Sequence, residues 1–542
     1  MILFILLDNF LNFIPYTLLL GDISESFGSG VAFQYSSVAA MFLSSTFFYF
    51  FIAHLLPVNT VGSISLLYAL MNILTTVFVF GLSFGIQHYF SYHLARKNNN
   101  TLLKLIKRTA ILGLLLAILA FLFIFYTSPY IAILFFHSID YELSIKIIGI
   151  AIADSVMINI FASILLGLNQ YKKYSLIYVF FYTFLYLFPL FLLFLYGKAI
   201  YLISGIAIID TVSAFIFVIY VYRIYKRLNL EETNYEKEQY KNIIYYSIPL
   251  FFSSIMGTSA TYLDRIVVSY FINLSYLGIY NFALIIASAA TILIMPISNL
   301  LVPKLSSFFS LDNKIAFKSS IRMLLNISSL IYIPAALGIA ALSEPLLYVF
   351  AGNAYEISYI PLMIIMFVTS VFIGSIVLSP GISSIRKTNI FIISSGLSLL
   401  SNLTLSVILI PRFNIIGAAI SYSSMNIVNF IILYHYARKF DIVNYDKNRI
   451  IKIWVASLIM FFSVFILQKN LPYDLINIFI LIIIGTLIYI SEIKIFKLIS
   501  MEEMEYALSI VPNKFGFLKY MMKNLAFHDK TIKNDRLFRF FK

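Results

Sequence analysis

The chain predicts an all-α polytopic membrane protein of about fourteen transmembrane helices, built as two six-helix lobes plus two C-terminal helices. Three observations predict it. First, 61% of the 542 residues are hydrophobic and 11% are charged, against roughly 25% charged in a soluble domain. The apolar residues come in runs of about twenty, enough to cross ~30 Å of hydrocarbon as helices. Runs this long are not barrel strands, so helices are what satisfies the backbone there. Second, of 38 Lys and Arg, 33 fall in every second gap between the apolar runs or in the C-terminal tail. Four fall in the alternate gaps (Lys146, Lys198, Arg412, Lys469), and Arg265 lies inside a run. That alternation sets the orientation of a membrane protein, with the basic gaps on the cytoplasmic side. Third, the two halves repeat at a near-constant offset.

The elements follow in order. Met1–Leu20 is apolar but interrupted by Asp8, Asn9, Asn12 and Pro15, and it has no Lys or Arg. It makes a poor signal peptide, and residues 1–30 stay outside the helix count. The expected spans are 33–56, 62–91, 109–127, 145–168, 174–196 and 199–222 in the first lobe (31–222). A polar linker, 223–242, separates it from the second lobe (243–440), with spans 243–271, 276–301, 321–343, 357–379, 388–411 and 415–437. Spans 450–467 and 474–491 complete the fourteen, and 492–542 is a basic tail. Both termini are then cytoplasmic, and the protein belongs in the cell membrane. The tail segment Asn513–Phe527 mixes Lys514, Lys519 and Lys523 with Phe515, Phe517 and Leu518. It reads as a helix lying on anionic inner-leaflet lipids, with a solvated tail as the competing reading.

The repeat rests on four matches. Gly62 and Gly278 each follow a short external loop, 216 apart, and Pro129 and Pro345 are also 216 apart. Gly167 and Gly381 are 214 apart, as are Leu202-Ile203-Ser204-Gly205-Ile206 and Ile416-Gly417-Ala418-Ala419-Ile420. Six helices per repeat give both halves one orientation, the pattern of two lobes around an axis along the membrane normal.

Several function classes drop out. The net charge of +14 does not indicate nucleic acid, because the basic residues sit in short loops where they orient helices and meet headgroups. There is no Cys, hence no disulfide, zinc or thiol chemistry. No metal site and no cofactor is expected. No G-x-x-x-x-G-K-[ST] phosphate loop is present. A membrane glycosyltransferase or polymerase would need an external domain; the best group available is His137, Asp140 and Glu142 in one loop. The chain is therefore read as a transporter, not an enzyme, and as a monomer.

Ser247-Ile248-Pro249-Leu250, Asp264-Arg265, Leu277-Gly278-Ile279-Tyr280 and Pro303-Lys304-Leu305-Ser306, in that order, resemble the central stretch of Wzx-type polysaccharide flippases. These belong to the MOP exporter superfamily, with the MATE drug exporters and the lipid II flippases. Val349-Phe350-Ala351-Gly352-Asn353-Ala354-Tyr355 is similar to that family's Phe-Gly-x-x-Tyr segment, with Ala351 intervening. Ile410-Pro411 followed by Ile416-Gly417-Ala418-Ala419 is similar to its loop between helices eleven and twelve. The resemblance covers about 33–491. It implies movement of a lipid-diphosphate-linked oligosaccharide from the inner to the outer leaflet by alternating access. The alternative within the same fold is a cation-coupled MATE-like exporter of drugs or metabolites.

Charges inside the spans are the candidate site. Arg265 and Asp264 lie near the outer end of the seventh span, Asp154 within the fourth and Asp210 within the sixth. Under the resemblance, Arg265 grips the diphosphate, since a guanidinium holds phosphate oxygens bidentately and stays protonated. Asp154, Asp210 and Asp264 are candidates for binding H⁺ or Na⁺ as coupling ion. The competing reading has Arg265 pairing with an aspartate to lock helices, or extending towards the interface. Asn72, with Thr75 and Thr76, and His88 are candidates to line a cavity; hydrogen bonding between helices competes for the first three, and a structural or interfacial role for His88. Some of the 39 Tyr could stack on sugars, but nothing in the sequence picks them out.

Overall fold

The computed structural model describes residues 27–96, 99–227, 239–292, 313–385, 387–443 and 447–499, with positions 294, 305, 308, 309 and 311. The N-terminal segment up to 26, most of the 223–242 linker, Lys304, Arg386 and the tail from 500 lie outside the described residues. Among the described residues there are sixteen α-helices and no strand. Thirteen elements are long and apolar enough to cross a membrane. One of them, α14 (Asn389–Lys439), has 51 residues, about 76 Å at 1.5 Å per residue. It holds non-helical Asn414 (φ 52°, ψ −133°), so it comprises two consecutive spans. The expected fourteen are thus accounted for, and the expected break after Pro411 is at Asn414.

The chain divides into two compact units between Tyr270 and Phe271. The first contains α1 (Phe27–Leu55), α2 (Val58–Val79), α3 (Leu82–Ala95), α4 (Asn99–Phe136), α5 (Glu142–Gly167), α6 (Tyr171–Tyr196), α7 (Ala199–Arg227) and α8 (Gln239–Phe271). Helix α5 is its central column, packed against α2, α3, α4 and α7, while α6 joins α1 to α7. The reason is a stripe at four-residue spacing, Ile148, Ile152, Val156, Ile160 and Ile164, all buried. In lipid such a stripe is held by close van der Waals fit rather than by exclusion of water.

The seventh span, expected to open the second lobe, sits in the first unit as α8. Two glycines bring it there. A Cβ on Gly81 would lie 2.7 Å from the Ser247 carbonyl oxygen, and one on Gly85 2.8 Å from that of Ile243. Only glycine lets the α8 backbone approach this closely. Gly81 also ends a break in the second span: Phe80 (φ 52°) and Gly81 (φ 64°) are both left-handed. The break separates α2 from α3, and the sequence reading had one unbroken helix over 62–91. Helix α9 (Leu274–Ile292) follows α8.

The second unit continues from α9 with α10 (Lys314–Ala341), α11 (Ser343–Ala351), α12 (Tyr359–Val371), α13 (Gly374–Ser384), α14, α15 (Lys447–Gln468) and α16 (Leu475–Ile495). Here α10 is central, against α9, α12, α13 and α15, and α16 packs on α15. Its inner core includes Phe317, Ile321, Leu325, Leu378, Ile382 and Leu433. On α16, Ile476, Phe479, Ile483 and Leu487 are exposed, as a lipid-facing stripe should be.

Two further details differ from the sequence reading. The third span does not end at Ser128-Pro129; α4 runs through to Phe136. Proline removes the hydrogen bond to the carbonyl four residues back, here that of Phe125, and the Ser128 hydroxyl donates to it instead at 3.0 Å. Pro334 likewise frees the Leu330 carbonyl, which accepts from Tyr489 at 2.9 Å. Second, basic residues assigned to inner loops ride on helix ends: Lys104, Lys107 and Arg108 on α4, Arg223 and Lys226 on α7, Lys314 and Lys318 on α10. Lys and Arg are good helix formers, and their long stems let the charge reach water from a helical extension.

Candidate functional site

The intramembrane charges of the first unit gather around a group of tyrosines. Asp210, on α7, has no exposed surface. Neither carboxylate oxygen has a hydrogen-bond partner among the described residues. Asp154 on α5 lies within its electrostatic reach, as do the phenols of Tyr68 on α2 and Tyr186 on α6. The Tyr68 hydroxyl is also buried and unpartnered among the described residues. Asp154 is half-buried, and the Thr211 hydroxyl, next to Asp210, is 2.5 Å from its Oδ2. That hydroxyl is also 2.9 Å from the Ala207 carbonyl. It has one proton to donate, so it serves one acceptor at a time.

Arg265 joins the same group from α8. Its guanidinium lies 4.6 Å over the Tyr262 ring, and Nη1 donates to the Thr261 carbonyl at 3.2 Å. Tyr49 of α1 lies in the field of Arg265 and of Tyr262. Tyr49 lies in turn in the electrostatic neighbourhood of Tyr68 and Tyr186. Asp264 and Arg265 part as adjacent helical residues must: Asp264 has no exposed surface, whereas Arg265 is half-buried.

Towards the N-terminal side of α8 from Arg265 lies a cavity of 340 Å³. Asn72, Thr75 and Thr76 reach it from α2, and Phe84 from α3. Ser155 and Asn159 line it from α5, Ser254 and Thr258 from α8. It sits where the second span breaks, with Val79 and Gly81 in its wall. Non-helical backbone at membrane depth is tolerated where it lines a cavity, and that is the situation here.

Of the sequence candidates, Asp154 and Asp210 lie within electrostatic reach of each other, Arg265 lies over the Tyr262 ring on α8, and Asn72 lines the cavity. His88 goes elsewhere: it stacks on Tyr246 at 4.7 Å and 11°, pinning α3 to α8. The external group is taken up structurally. His137 Nε2 lies 3.3 Å from the Ser269 carbonyl. Ser138 hydrogen-bonds Asp140 at 2.9 Å, and Glu142 pairs with Lys146 at 2.5 Å. Among the described residues no cluster of three His, Cys, Asp or Glu could hold a metal. Sequence reading missed Tyr49, Tyr68, Tyr186 and Tyr262. It also missed Ser155, Asn159, Ser254 and Thr258, although the spacing of four within each of these polar pairs was a usable signal.

The polysaccharide biosynthesis protein family matches residues 28–309, more than half of the chain and all of this site. The chain belongs to that family. The likeness to proteins of polysaccharide biosynthesis expected from the motifs is thus borne out at the level of this family. Among similar proteins, a probable low-salt glycan biosynthesis flippase, Agl15, of Haloferax volcanii is 24% identical over 284 residues, which is 52% of this chain and 60% of the relative. The capsular polysaccharide biosynthesis protein CapF of Staphylococcus aureus is 27% identical over 206 residues, covering 37% and 51%. The chain thus spans less than two-thirds of the length of these relatives. Among solved structures, a lipid II flippase MurJ in an inward closed conformation superposes with a TM-score of 0.69 at 19% identity, over 86% of this chain and 98% of that one. At that identity the likeness concerns the fold.

Proposed function

We propose that this member of the family is a flippase that carries a lipid-diphosphate-linked glycan from the inner to the outer leaflet of the cell membrane. Its termini face the cytoplasm, and it works by alternating access with H⁺ or Na⁺ as coupling ion. The observation that carries the reading is Arg265: a guanidinium kept within a membrane helix, half-buried among phenols, in a chain of a polysaccharide biosynthesis family. A charge at that depth is costly and marks a substrate or ion path by default. Arg binds phosphate with a planar fork of five donors and stays charged. Asp210 and Asp154 supply the coupling site. Protonation of Asp154 frees the Thr211 proton for Ala207, so one proton changes how α5 and α7 are joined.

The test is binding of a bare polyprenyl diphosphate to the purified chain. Arg265→Ala is expected to weaken it about 10- to 100-fold, the range for a charge-assisted hydrogen bond set, with Arg265→Lys intermediate because the fork is lost and the charge kept. Equal affinity in all three proteins would leave Arg265 a structural residue. Binding of organic cations, with none of the diphosphate, would favour the exporter.

A further inference from the structure

We propose that the 340 Å³ cavity of the first unit is a subsite for a neutral sugar ring. It rests on the flippase reading and adds where the first sugar of the cargo sits. The cavity has a donor–acceptor character that can be read off its bonds. The Asn72 side-chain amide donates to the Tyr68 carbonyl at 2.8 Å, and that of Asn159 to the Ser155 carbonyl at 2.8 Å. Only the NH₂ end can make such a bond, so in both residues Oδ1 is the end left over. The Thr76 hydroxyl gives its proton to the Asn72 carbonyl at 2.8 Å, and its oxygen lies 3.3 Å from the Thr258 hydroxyl, from which it can accept. Thr75 Oγ1 is buried with no partner among the described residues. The wall is therefore neutral, with two amide oxygens as acceptors and several hydroxyls that donate or accept, and without a carboxylate or a cation among its lining residues. Such a wall suits a neutral ligand bearing several hydroxyl groups.

Two further features match a sugar. Phe84 is 45% exposed and lines the cavity, a flat apolar face for the C–H side of a pyranose. The volume falls at the small end of ligand pockets, about 300–1,000 Å³. A cage for a bare hard cation draws its oxygens to about 2.3–2.6 Å of one point, and this space is too wide for that.

The placement fits the proposed diphosphate site. Ser254, Thr258, Tyr262 and Arg265 share one stripe of α8. Thr258 and Arg265 are seven residues apart, about 10 Å along the helix on the same face. A diphosphate on Arg265 therefore puts the sugar joined to it beside Thr258. The broken backbone at Phe80-Gly81 is the usual partner of such a site, since discontinuous helices build substrate sites in transporters.

The test compares two probes on the purified full-length chain: a polyprenyl diphosphate bearing one N-acetylhexosamine, and the same polyprenyl diphosphate bare. Wild type is expected to bind the glycosylated probe about tenfold more tightly, the worth of one or two neutral hydrogen bonds plus ring contact. Asn72→Leu and Asn159→Leu should each remove most of that preference and leave the bare probe within about twofold. Should either variant lose its thermal transition, Phe84→Ala, altering an exposed ring, carries the test. Equal wild-type affinity for both probes, or variants that lose both alike, would overturn the sugar subsite and leave the flippase reading standing. Wild type binding neither probe would overturn both.

Discussion

Asp210 and Arg265 show what a single residue can carry in this chain. An ionised side chain at the helix centre costs about 2.5–3.5 kcal/mol on insertion scales, yet Asp210 is buried without a hydrogen-bond partner among the described residues. Replacing it with the isosteric amide removes the ionisable group and little packing. Asp210→Asn is therefore expected to fold with an unchanged or slightly higher melting temperature. Its transport should no longer respond to an imposed pH or Na⁺ gradient, measured in vesicles with each gradient clamped in turn. An intact gradient response in both Asp210→Asn and Asp154→Asn would remove these residues from coupling. The charged members of the site were legible because a charge in an apolar run stands out by counting. The tyrosines were not: 39 Tyr and 53 Phe are spread over every span, and only packing selects Tyr49, Tyr68, Tyr186 and Tyr262. The amide and hydroxyl pairs fell between, visible as spacing but not as a shared cavity.

At the scale of elements, hydropathy set the spans because ~20 apolar residues have one economical solution in lipid. It could not show the break at Phe80-Gly81. A left-handed Phe is rare and strained, and tertiary contact holds it: its ring stacks on Phe251 of α8 at 4.4 Å. The expected span 109–127 stops short of Phe136, because the serine that takes up the carbonyl freed by Pro129 is invisible to a hydropathy window. Two predictions belong here. Gly81→Ala and Gly197→Ala both place a side chain at positive φ, yet a Cβ meets close neighbours only at Gly81 and nothing within 4 Å at Gly197. The strain alone costs about 1–2 kcal/mol, so Gly81→Ala should lower the melting temperature clearly more than Gly197→Ala; equal shifts would contradict the close approach of α8. Tyr489→Phe leaves the Leu330 carbonyl without its donor. It should destabilise by about 1 kcal/mol, within the range for membrane hydrogen bonds, measured by thermal unfolding in detergent; no change would mean that the carbonyl finds another partner.

For the whole molecule, the alternation of basic residues is the strongest statement the sequence makes, and it orients every helix at once. The chain has no Cys, so single cysteines report topology without background. Lys469→Cys, between α15 and α16, should react with an impermeant maleimide in intact cells; Lys173→Cys, at the start of α6, should react only after permeabilisation. The division of the chain between Tyr270 and Phe271 goes with close glycine contacts of α8 that a sequence offset does not reveal. The central claim is transport of a diphosphate-linked glycolipid. The measurement that tests it most directly is translocation of a fluorescent glycosylated polyprenyl diphosphate in proteoliposomes, scored by loss of signal to an impermeant quencher, for wild type and Arg265→Ala. The account predicts protein-dependent translocation that falls at least about tenfold in the variant while its melting temperature holds. Wild-type vesicles that move no more glycolipid than protein-free ones would contradict it.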